Sequence, residues 1–332
     1  MHTNNQTAAA NERSTPAVSG SEAAGPVPAA FAGDKVSVII PTRNAGSELT
    51  ELLERLRTQT LPPHEIIVID TESSDGTPER AVRGGARLFS ISRAEFDHGG
   101  ARNRAAREAS GCILMFMTQD AIPDNARLIE ELVRSLSDSG TGYVYARQLA
   151  RREADVLERM SREFNYPAES RLKSREDLPQ LGLKTFFCSN VCSAMRKETF
   201  RAMGGFAEPT FFNEDLFLAG KMVLEGYQIA YNAEARVIHS HAYTPMQQFK
   251  RFYDNGTSMA EQNWILPYAG VGKEGSGLVK AQLRALMEAG QWRKVPGLVA
   301  ENAAKLIGFK LGIHHRRLPK RLQRVFSMYR PG

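Results

Sequence analysis

Short runs of β-branched residues alternate with helical segments along the first half of the chain, and this alternation constrains the fold most strongly. The runs from Lys35 to Pro41 and from Glu65 to Asp70 are rich in Val and Ile, as is typical of strands buried in a parallel sheet. Between them, four leucines recur at helical spacing. Further strands are predicted at residues 87–91, 112–117 and 143–146. The sequence therefore predicts an α/β fold, with a mostly parallel sheet flanked by helices on both faces.

Composition divides the chain into three parts. Residues 1–33 are rich in small and polar types, so we expect a disordered tail, and they lack the apolar centre of a signal peptide. Residues 34–244 carry the strand and helix pattern, and residues 245–332 show helical spacing with many bases. The three cysteines are too few for a disulfide framework, and we expect all of them to be buried and inert. No apolar stretch reaches the roughly 18 residues that a membrane span needs.

The net charge of +6 is unevenly distributed. From Pro245 onward there are 15 basic and 5 acidic residues, a balance of +10, so the preceding residues sum to −4. From Lys305 onward the bases are interleaved with apolar residues, which predicts a basic amphipathic helix pair with a break at Leu318-Pro319. Such helices either lie on an anionic membrane surface or pack on the rest of the chain. Nucleic-acid binding is a third alternative, for which we find no recognition motif.

Two acids follow predicted strands, at the carboxyl ends where ligands bind in such sheets. Asp70 can accept a hydrogen bond from a nucleobase or a ribose, or it is a turn residue. Asp120 can hold a divalent cation through oxygen, or it caps the next helix. No GxGxxG motif follows the opening strands, which argues against a dinucleotide-binding fold.

Other polar residues stand at helix starts and on a late strand. Glu214 and Asp215 begin a predicted helix, where they either complement its dipole or supply a general base. His239 and His241 share one face of a predicted strand, where they can ligate a metal or serve as structural residues. Arg102 follows two glycines at a helix N-terminus, which suits a phosphate, although a flexible loop with a solvated arginine fits as well.

In this order, the segments resemble family 2 inverting glycosyltransferases with the GT-A fold, and most of all their bacterial rhamnosyltransferase branch. The resemblance covers about residues 35–244. It rests on VSVIIPTRN, EIIVIDTESSDGT, FDHGGARN, FMTQDAIP, CSNVCSAMRKETFRAMGGFAE, NEDLFLAGKMVLEGYQIAY and VIHSHAYT. It implies a GT-A sheet, here with a basic helical C-terminal extension.

The resemblance also implies a role for each candidate residue. On the nucleotide side, Pro41, Thr42 and Arg43 line the nucleotide, Asp70 contacts the base, and Arg102 lies near the base and diphosphate. On the reaction side, Thr118, Gln119 and Asp120 replace the DxD motif with Asp120 as metal ligand, His239 completes the metal site with His241 as second choice, and Asp215 is the general base beside Glu214.

The implied reaction moves a sugar from a nucleotide-sugar donor to a hydroxyl of a lipid-linked or polysaccharide acceptor, with a divalent cation, Mg²⁺ or Mn²⁺. We expect rhamnose from dTDP-rhamnose. The alternatives are another hexosyl donor such as a UDP-sugar, or an inactive nucleotide-sugar-binding protein, since Thr118 stands where the family often has an acid. We expect a cytoplasmic protein, peripheral on the inner face of the cytoplasmic membrane, and no nucleic-acid partner.

Overall fold

The structure of the chain is a computed structural model that describes residues 33–241, 243–269 and 273–329. Nearly all of the predicted disordered tail, residues 1–33, lies outside the described residues. The strands are β1 (Val36–Thr42), β2 (Glu65–Thr71), β3 (Arg87–Ile91), β4 (Ile113–Met117), β5 (Ile122–Pro123), β6 (Thr141–Leu149), β7 (Arg171–Lys173), β8 (Cys192–Arg196) and β9 (Gln228–Ile238).

Twelve α-helices are described, with short 3₁₀ turns between some of them. Eight precede residue 245: α1 (Glu48–Arg57), α2 (Thr77–Arg83), α3 (His98–Glu108), α4 (Leu128–Ser135), α5 (Val156–Asn165), α6 (Leu178–Leu181), α7 (Lys197–Ala202) and α8 (Glu214–Leu224). Four follow: α9 (Pro245–Glu261), α10 (Lys273–Glu288), α11 (Val295–Ile313) and α12 (Lys320–Phe326).

One mixed sheet contains all nine strands, in the order β3-β2-β1-β4-β8-β6-β9-β5, with β7 beside β9. The strands β3, β2, β1 and β4 are parallel to one another. Strand β8 runs against β4 and β6, while β9 runs parallel to β6. Six of the nine strands thus point the same way, with β5, β7 and β8 opposed. The predicted mostly parallel α/β sheet is confirmed.

Alternate residues of the central strands face two apolar cores, one on each side of the sheet. Val38 and Ile40 of β1 pack with the leucines of α1, while Ile39 between them packs with the alanines of α3. The four leucines predicted to form a helical stripe are buried, at Leu49, Leu52, Leu53 and Leu56. Helices therefore cover both faces, as the continuous apolar strands require.

The C-terminal helices α9 and α11 cross at very close range. A Cβ atom added to Gly308 would lie 2.3 Å from the backbone oxygen of Phe249, and one added to Gly312 would lie 2.2 Å from that of Tyr253.

Helix α11 ends at Ile313 and α12 begins after Pro319, which confirms the predicted break. Along the described ranges, every helix is too short or too polar to cross a membrane. The division into three parts stays a prediction.

One expectation about the cysteines is wrong. Cys188 and Cys192 are buried, but Cys112 is exposed. It precedes β4 at the amino end of the sheet, and its Sγ accepts a hydrogen bond from the backbone N–H of Lys35 at 3.3 Å. Its side chain therefore lies outside both apolar cores.

Candidate active site

A cavity of about 1000 Å³ opens at the carboxyl ends of β1, β2 and β4. The order of strands reverses between β1 and β4, which makes this the switch point where ligands bind in such sheets. Gln119 joins the two strand ends: its Oε1 accepts from the backbone N–H of Arg43 at 2.7 Å, and its Nε2 donates to the backbone oxygen of Arg43 at 3.2 Å. The predicted nucleotide residues Pro41, Thr42 and Arg43 all line this cavity.

Three side chains on the cavity wall have a buried polar atom without a hydrogen-bond partner. They are the hydroxyls of Thr71 and Thr118 and the Nε of Arg102. Buried polar groups in folded proteins are almost always paired. The wall therefore offers places for the polar atoms of a ligand or for ordered water.

Asp70 is buried but is not among the residues that line the cavity. Its Oδ1 accepts from the hydroxyl of Thr42 at 2.9 Å, and its Oδ2 accepts from the backbone N–H of Ser73 at 2.9 Å. The carboxylate thereby ties the end of β1 to the loop after β2. The base contact expected of Asp70 stays a prediction.

Asp120, His239 and His241 converge beside the cavity from distant parts of the sequence. The Nε2 atoms of His239 and His241 lie 3.6 Å and 3.0 Å from Oδ2 of Asp120. Burial opposes ionisation of Asp120, but the two imidazoles hold its pKa well below the usual range. One carboxylate oxygen and two ring nitrogens, all within 4.8 Å of one another, form a set that can hold a metal ion.

Gln148 fixes the orientation of His239. Its Oε1 lies 3.1 Å from Nδ1 of His239, and its Nε2 donates to the hydroxyls of Tyr166 and Ser189 at 2.6 Å and 2.9 Å. A proton on Nδ1 would donate to Gln148 and leave the lone pair of Nε2 turned towards Asp120. Both histidines follow the end of β9 rather than lying within it, and their rings are 4.6 Å apart.

Glu214 and Asp215 begin α8, as predicted, but they do more than complement its dipole. Glu214 is buried, and its Oε1 lies 3.4 Å from NH1 of Arg102. Burial opposes ionisation of Glu214, yet Arg102 and His98 lower its pKa below the usual value. Burial and the Glu214 carboxylate raise the pKa of Asp215 to about 7. Glu214 therefore stays ionised, whereas Asp215 can take up and release a proton near neutral pH.

Asn190 positions both acids. Its backbone N–H donates to Oδ2 of Asp215 at 2.9 Å, and its side-chain Nδ2 donates to Oε1 of Glu214 at 3.1 Å. The hydroxyls of Tyr143 and Ser193 donate to its Oδ1, which fixes the amide. Asp215 lines the cavity together with Asp120 and both histidines.

The first amides of α3, where the sequence suited either a phosphate or a flexible loop, have partners within the protein. Oδ1 of Asp97 accepts from the N–H of Gly100 at 2.7 Å, and the carbonyl of Thr210 accepts from the N–H of His98 at 2.8 Å. Protein groups thus occupy the first amides of the helix. Arg102 points to Glu214 rather than into solvent, and its side chain is 5% exposed.

Five residues that line this cavity were not predicted from the sequence: Asn190, Gln148, His98, Arg251 and Tyr329. Asn190 lies in the CSN segment, two residues before β8 begins, where a polar residue beside a strand was a usable signal. The others lie in helices, within a strand or after the last helix, where sequence offers no such signal.

Comparison with known proteins agrees with this fold and site. The family model described as Glycosyl transferase family 2 matches residues 37–204. The O-antigen chain rhamnosyltransferase WbaN of Salmonella anatum is 40% identical over 89% of this chain and 94% of its own length. The O-antigen chain rhamnosyltransferase RfbN of Salmonella typhimurium is 40% identical over 89% of this chain and 95% of its own length.

Solved structures show the same fold at low sequence identity. A mannosyltransferase from Pyrobaculum calidifontis, in complex with GDP-Man and Mn²⁺, superposes with a TM-score of 0.55 at 19% identity, over 82% of this chain and 87% of that one. Glucosyl-3-phosphoglycerate synthase from Mycobacterium tuberculosis, in a complex that contains Mn²⁺ and UDP, superposes with a TM-score of 0.50 at 21% identity. The match covers 74% of this chain and 84% of that one.

A GT-A sheet with a metal-competent cavity at its switch point is the architecture of a class of glycosyltransferases. The chain belongs to glycosyl transferase family 2 and is a glycosyltransferase. The fold and the enzyme class expected from sequence are thereby confirmed.

Proposed function

We propose that the chain transfers a rhamnosyl group from dTDP-rhamnose to a hydroxyl of a lipid-linked or polysaccharide acceptor, with inversion at the anomeric carbon. The observation that carries the proposal is one cavity that holds both a carboxylate of raised pKa, Asp215, and the cluster of Asp120 with two histidines. The two relatives at 40% identity are named as O-antigen chain rhamnosyltransferases, which supports rhamnose and a polysaccharide acceptor.

Asp215 is the proposed general base. Its Oδ2 accepts from the N–H of Asn190 and its Oδ1 accepts from the N–H of Leu216, so the carboxylate is held in one orientation. A carboxylate with a pKa near neutrality takes a proton efficiently from an attacking hydroxyl at physiological pH. Loss of that proton to Asp215 lets the acceptor oxygen displace the nucleotide in one step. A single displacement inverts the anomeric centre and needs no covalent intermediate on the protein.

A divalent cation fits the cluster of Asp120, His239 and His241. The set offers one carboxylate oxygen and two imidazole nitrogens, and Gln148 orients one of the rings. Mg²⁺ prefers oxygen ligands throughout, so two nitrogen ligands favour Mn²⁺. When bound, the cation would neutralise negative charge that develops on the departing diphosphate. Pro41, Thr42 and Arg43 would line the nucleotide, while Asp70 would hold Thr42 in place as well as meet the base.

The direct test compares donors and variants. We expect dTDP-rhamnose with Mn²⁺ to raise the melting temperature more than UDP-sugars do, because ligand binding stabilises the folded state. Release of dTDP should then require a glycan acceptor, and the product should have the anomeric configuration opposite to that of the donor. Asp215→Asn should still bind donor but lose about 10²-fold or more in release rate. Glu225→Gln, an exposed change at the far end of α8, is the matched control.

Each remaining outcome identifies an alternative. A larger rise in melting temperature with a UDP-sugar would show that the donor is a UDP-sugar rather than dTDP-rhamnose. Donor binding without transfer to lipid-linked or polysaccharide acceptors would favour an inactive nucleotide-sugar-binding protein. Undiminished release by Asp215→Asn would exclude Asp215 as the base.

We further propose peripheral contact with the inner face of the cytoplasmic membrane through α11 and α12. One face of α11 packs on α9, but Leu306 and Ile307 on another face are 56% and 52% exposed. Apolar side chains that face water next to bases, with no acid after Glu301, suit an anionic bilayer. Phe309 of the same helix lines the active-site cavity, so this contact would bring a lipid-borne acceptor close to the site.

A further inference from the structure

The chain returns to the active-site cavity at its C-terminal end. Beyond α12, the side chains of Met328 and Tyr329 lie on the wall of the cavity that Asp215 also lines. The backbone N–H of Met328 donates to Oδ2 of Asp254, a buried residue of α9, at 2.7 Å. This charge-assisted hydrogen bond holds the end of the chain against α9 and so fixes the position of Tyr329.

Tyr329 forms an aromatic wall with two other rings. Its ring meets His98 edge to face, with 5.0 Å between centroids, and lies 6.4 Å from the ring of Phe212. The hydroxyl of Thr210 donates to the backbone oxygen of Phe212 at 3.0 Å, which restrains that residue. Burial raises the pKa of Tyr329, so its phenol stays neutral and can both donate and accept. Such a wall can cover the apolar face of a sugar ring and still bond one of its hydroxyls.

Arg251 places a positive charge beside this wall. Its guanidinium lies over the rings of Tyr243 and Phe212, 4.4 Å and 5.5 Å from their centroids, and donates to the hydroxyl of Tyr243 at 2.6 Å. Across the described part of the chain, no carboxylate lies within ion-pair distance of it. A cavity-lining guanidinium held by rings, without an acid to neutralise it, suits a phosphate group.

We propose that Tyr329, Phe212 and Arg251 form a subsite for the acceptor, and that the acceptor presents there a sugar ring bearing a phosphate group. The inference rests on the proposed glycosyl transfer and adds the residues that recognise the acceptor. Tyr329 follows α12, Phe212 lies in the segment before α8, and Arg251 lies in α9. The predicted nucleotide residues lie instead at the carboxyl ends of β1, β2 and β4 and in α3. Donor and acceptor would thus approach Asp215 from two different groups of elements.

Binding of simple sugar phosphates tests the subsite. The full chain is first saturated with dTDP and Mn²⁺, so that the donor side is filled, and is then titrated calorimetrically with α-glucose 1-phosphate and with α-galactose 1-phosphate. We expect at least one of them to bind, and inorganic phosphate or the free sugar to bind about tenfold more weakly, a difference of about 1.4 kcal/mol.

Variants connect that binding to the three residues. Tyr329→Ala and Arg251→Gln should each weaken sugar phosphate binding about tenfold, as expected for a central contact of a binding site. Tyr329→Phe keeps the ring, so it should lose much less affinity for the sugar phosphate than Tyr329→Ala. Arg293→Gln, an exposed change outside the cavity, is the control for lost positive charge. All variants should bind dTDP as the unaltered chain does, which shows that each is folded.

The outcomes separate the subsite from the proposed function. Equal binding of the sugar phosphate by Tyr329→Ala and the unaltered chain would overturn the subsite, and so would no binding of either sugar phosphate. Failure of the unaltered chain to bind dTDP would overturn the proposed donor and the subsite with it.

Discussion

Arg102 and Glu214 form a buried ion pair, with 3.4 Å between NH1 and Oε1 and side-chain exposures of 5% and 9%. Because Arg102 keeps Glu214 ionised, a fixed negative charge stands next to Asp215 in a poorly hydrated place. A like charge at close range disfavours ionisation of a carboxylate. The ion pair therefore acts on the proposed base, although neither of its members has to touch the substrate.

The first prediction concerns pH. The proposed base works when ionised, so the transfer rate of the unaltered chain should rise with pH through about 7, where Asp215 loses its proton. Glu214→Gln removes the neighbouring negative charge, lowers the pKa of Asp215 and moves the midpoint to lower pH. Initial rates of dTDP release from pH 5 to 9 measure the midpoint, with Glu225→Gln as control. An unchanged midpoint in Glu214→Gln would contradict the coupling between the two acids.

The second prediction concerns the metal cluster. Gln148 contacts His239 but not Asp120, so Gln148→Ala should loosen the ring without removing a ligand. Loss of such a supporting contact usually weakens metal binding about 10- to 100-fold. Titration of the melting temperature with Mn²⁺ gives the affinity directly. Gln180→Ala, an exposed site, should bind Mn²⁺ as the unaltered chain does. Equal affinity in Gln148→Ala would show that the ring needs no such support.

The third prediction concerns removal of the cation. The unaltered chain should lose dTDP release on treatment with EDTA and regain it with Mn²⁺, and less fully with Mg²⁺ because two ligands are nitrogens. Asp120→Ala should abolish the rescue. Transfer that persists after complete chelation would exclude a metal-dependent reaction.

The fourth prediction concerns the crossing of α9 and α11. Gly308→Ala would place a Cβ 2.3 Å from the backbone oxygen of Phe249, so the two helices must separate. Overpacking of this kind costs about 1–3 kcal/mol, and the melting temperature should fall by several degrees. Gly297→Ala on the same helix has nothing within 4 Å and should be neutral or slightly stabilising. Equal melting temperatures for the two variants would show that the crossing tolerates a wider spacing.

The fifth prediction concerns membrane contact. The full chain should bind vesicles of phosphatidylglycerol and phosphatidylcholine more strongly than vesicles of phosphatidylcholine alone. Replacement of Leu306 and Ile307 by serine should weaken that binding, because both side chains face water. Donor binding should be unaffected. Equal retention on neutral and anionic vesicles would contradict a contact specific for anionic lipid, and equal retention on anionic vesicles and duplex DNA would indicate only an unspecific attraction of the bases to polyanions.

The sequence predicted the fold well because the central strands and first helix are encoded locally. Apolar runs such as Glu65 to Asp70 and the leucine stripe of α1 carry their own periodicity, and the structure contains both. Asp120 and Asp215 stand directly after a strand and at a helix start, positions that local pattern also marks. The structure brings these acids to one cavity, although about a hundred residues separate them in the sequence.

The features of the site that could not be predicted from the sequence depend on contacts between residues that are far apart in the chain. Nothing near Gln148 indicates that its amide will meet His239, 91 residues away. Likewise, the glycines before Arg102 suited either a phosphate at the helix start or a flexible loop, and nothing near them indicates that the carbonyl of Thr210 accepts from the amide of His98 there. Local sequence specifies the conformation of a segment, whereas such partners depend on how the elements assemble.

The position of Tyr329 on the cavity wall has a consequence for the chain as it is synthesised. The sheet, Asp215 and the metal cluster all belong to parts of the chain that leave the ribosome early and can fold while synthesis continues. Tyr329 follows His241, the last residue of the metal cluster, by 88 residues, so it leaves the ribosome after them. A nascent chain can therefore have these chemical groups in place while the side of the cavity that Tyr329 forms is still open.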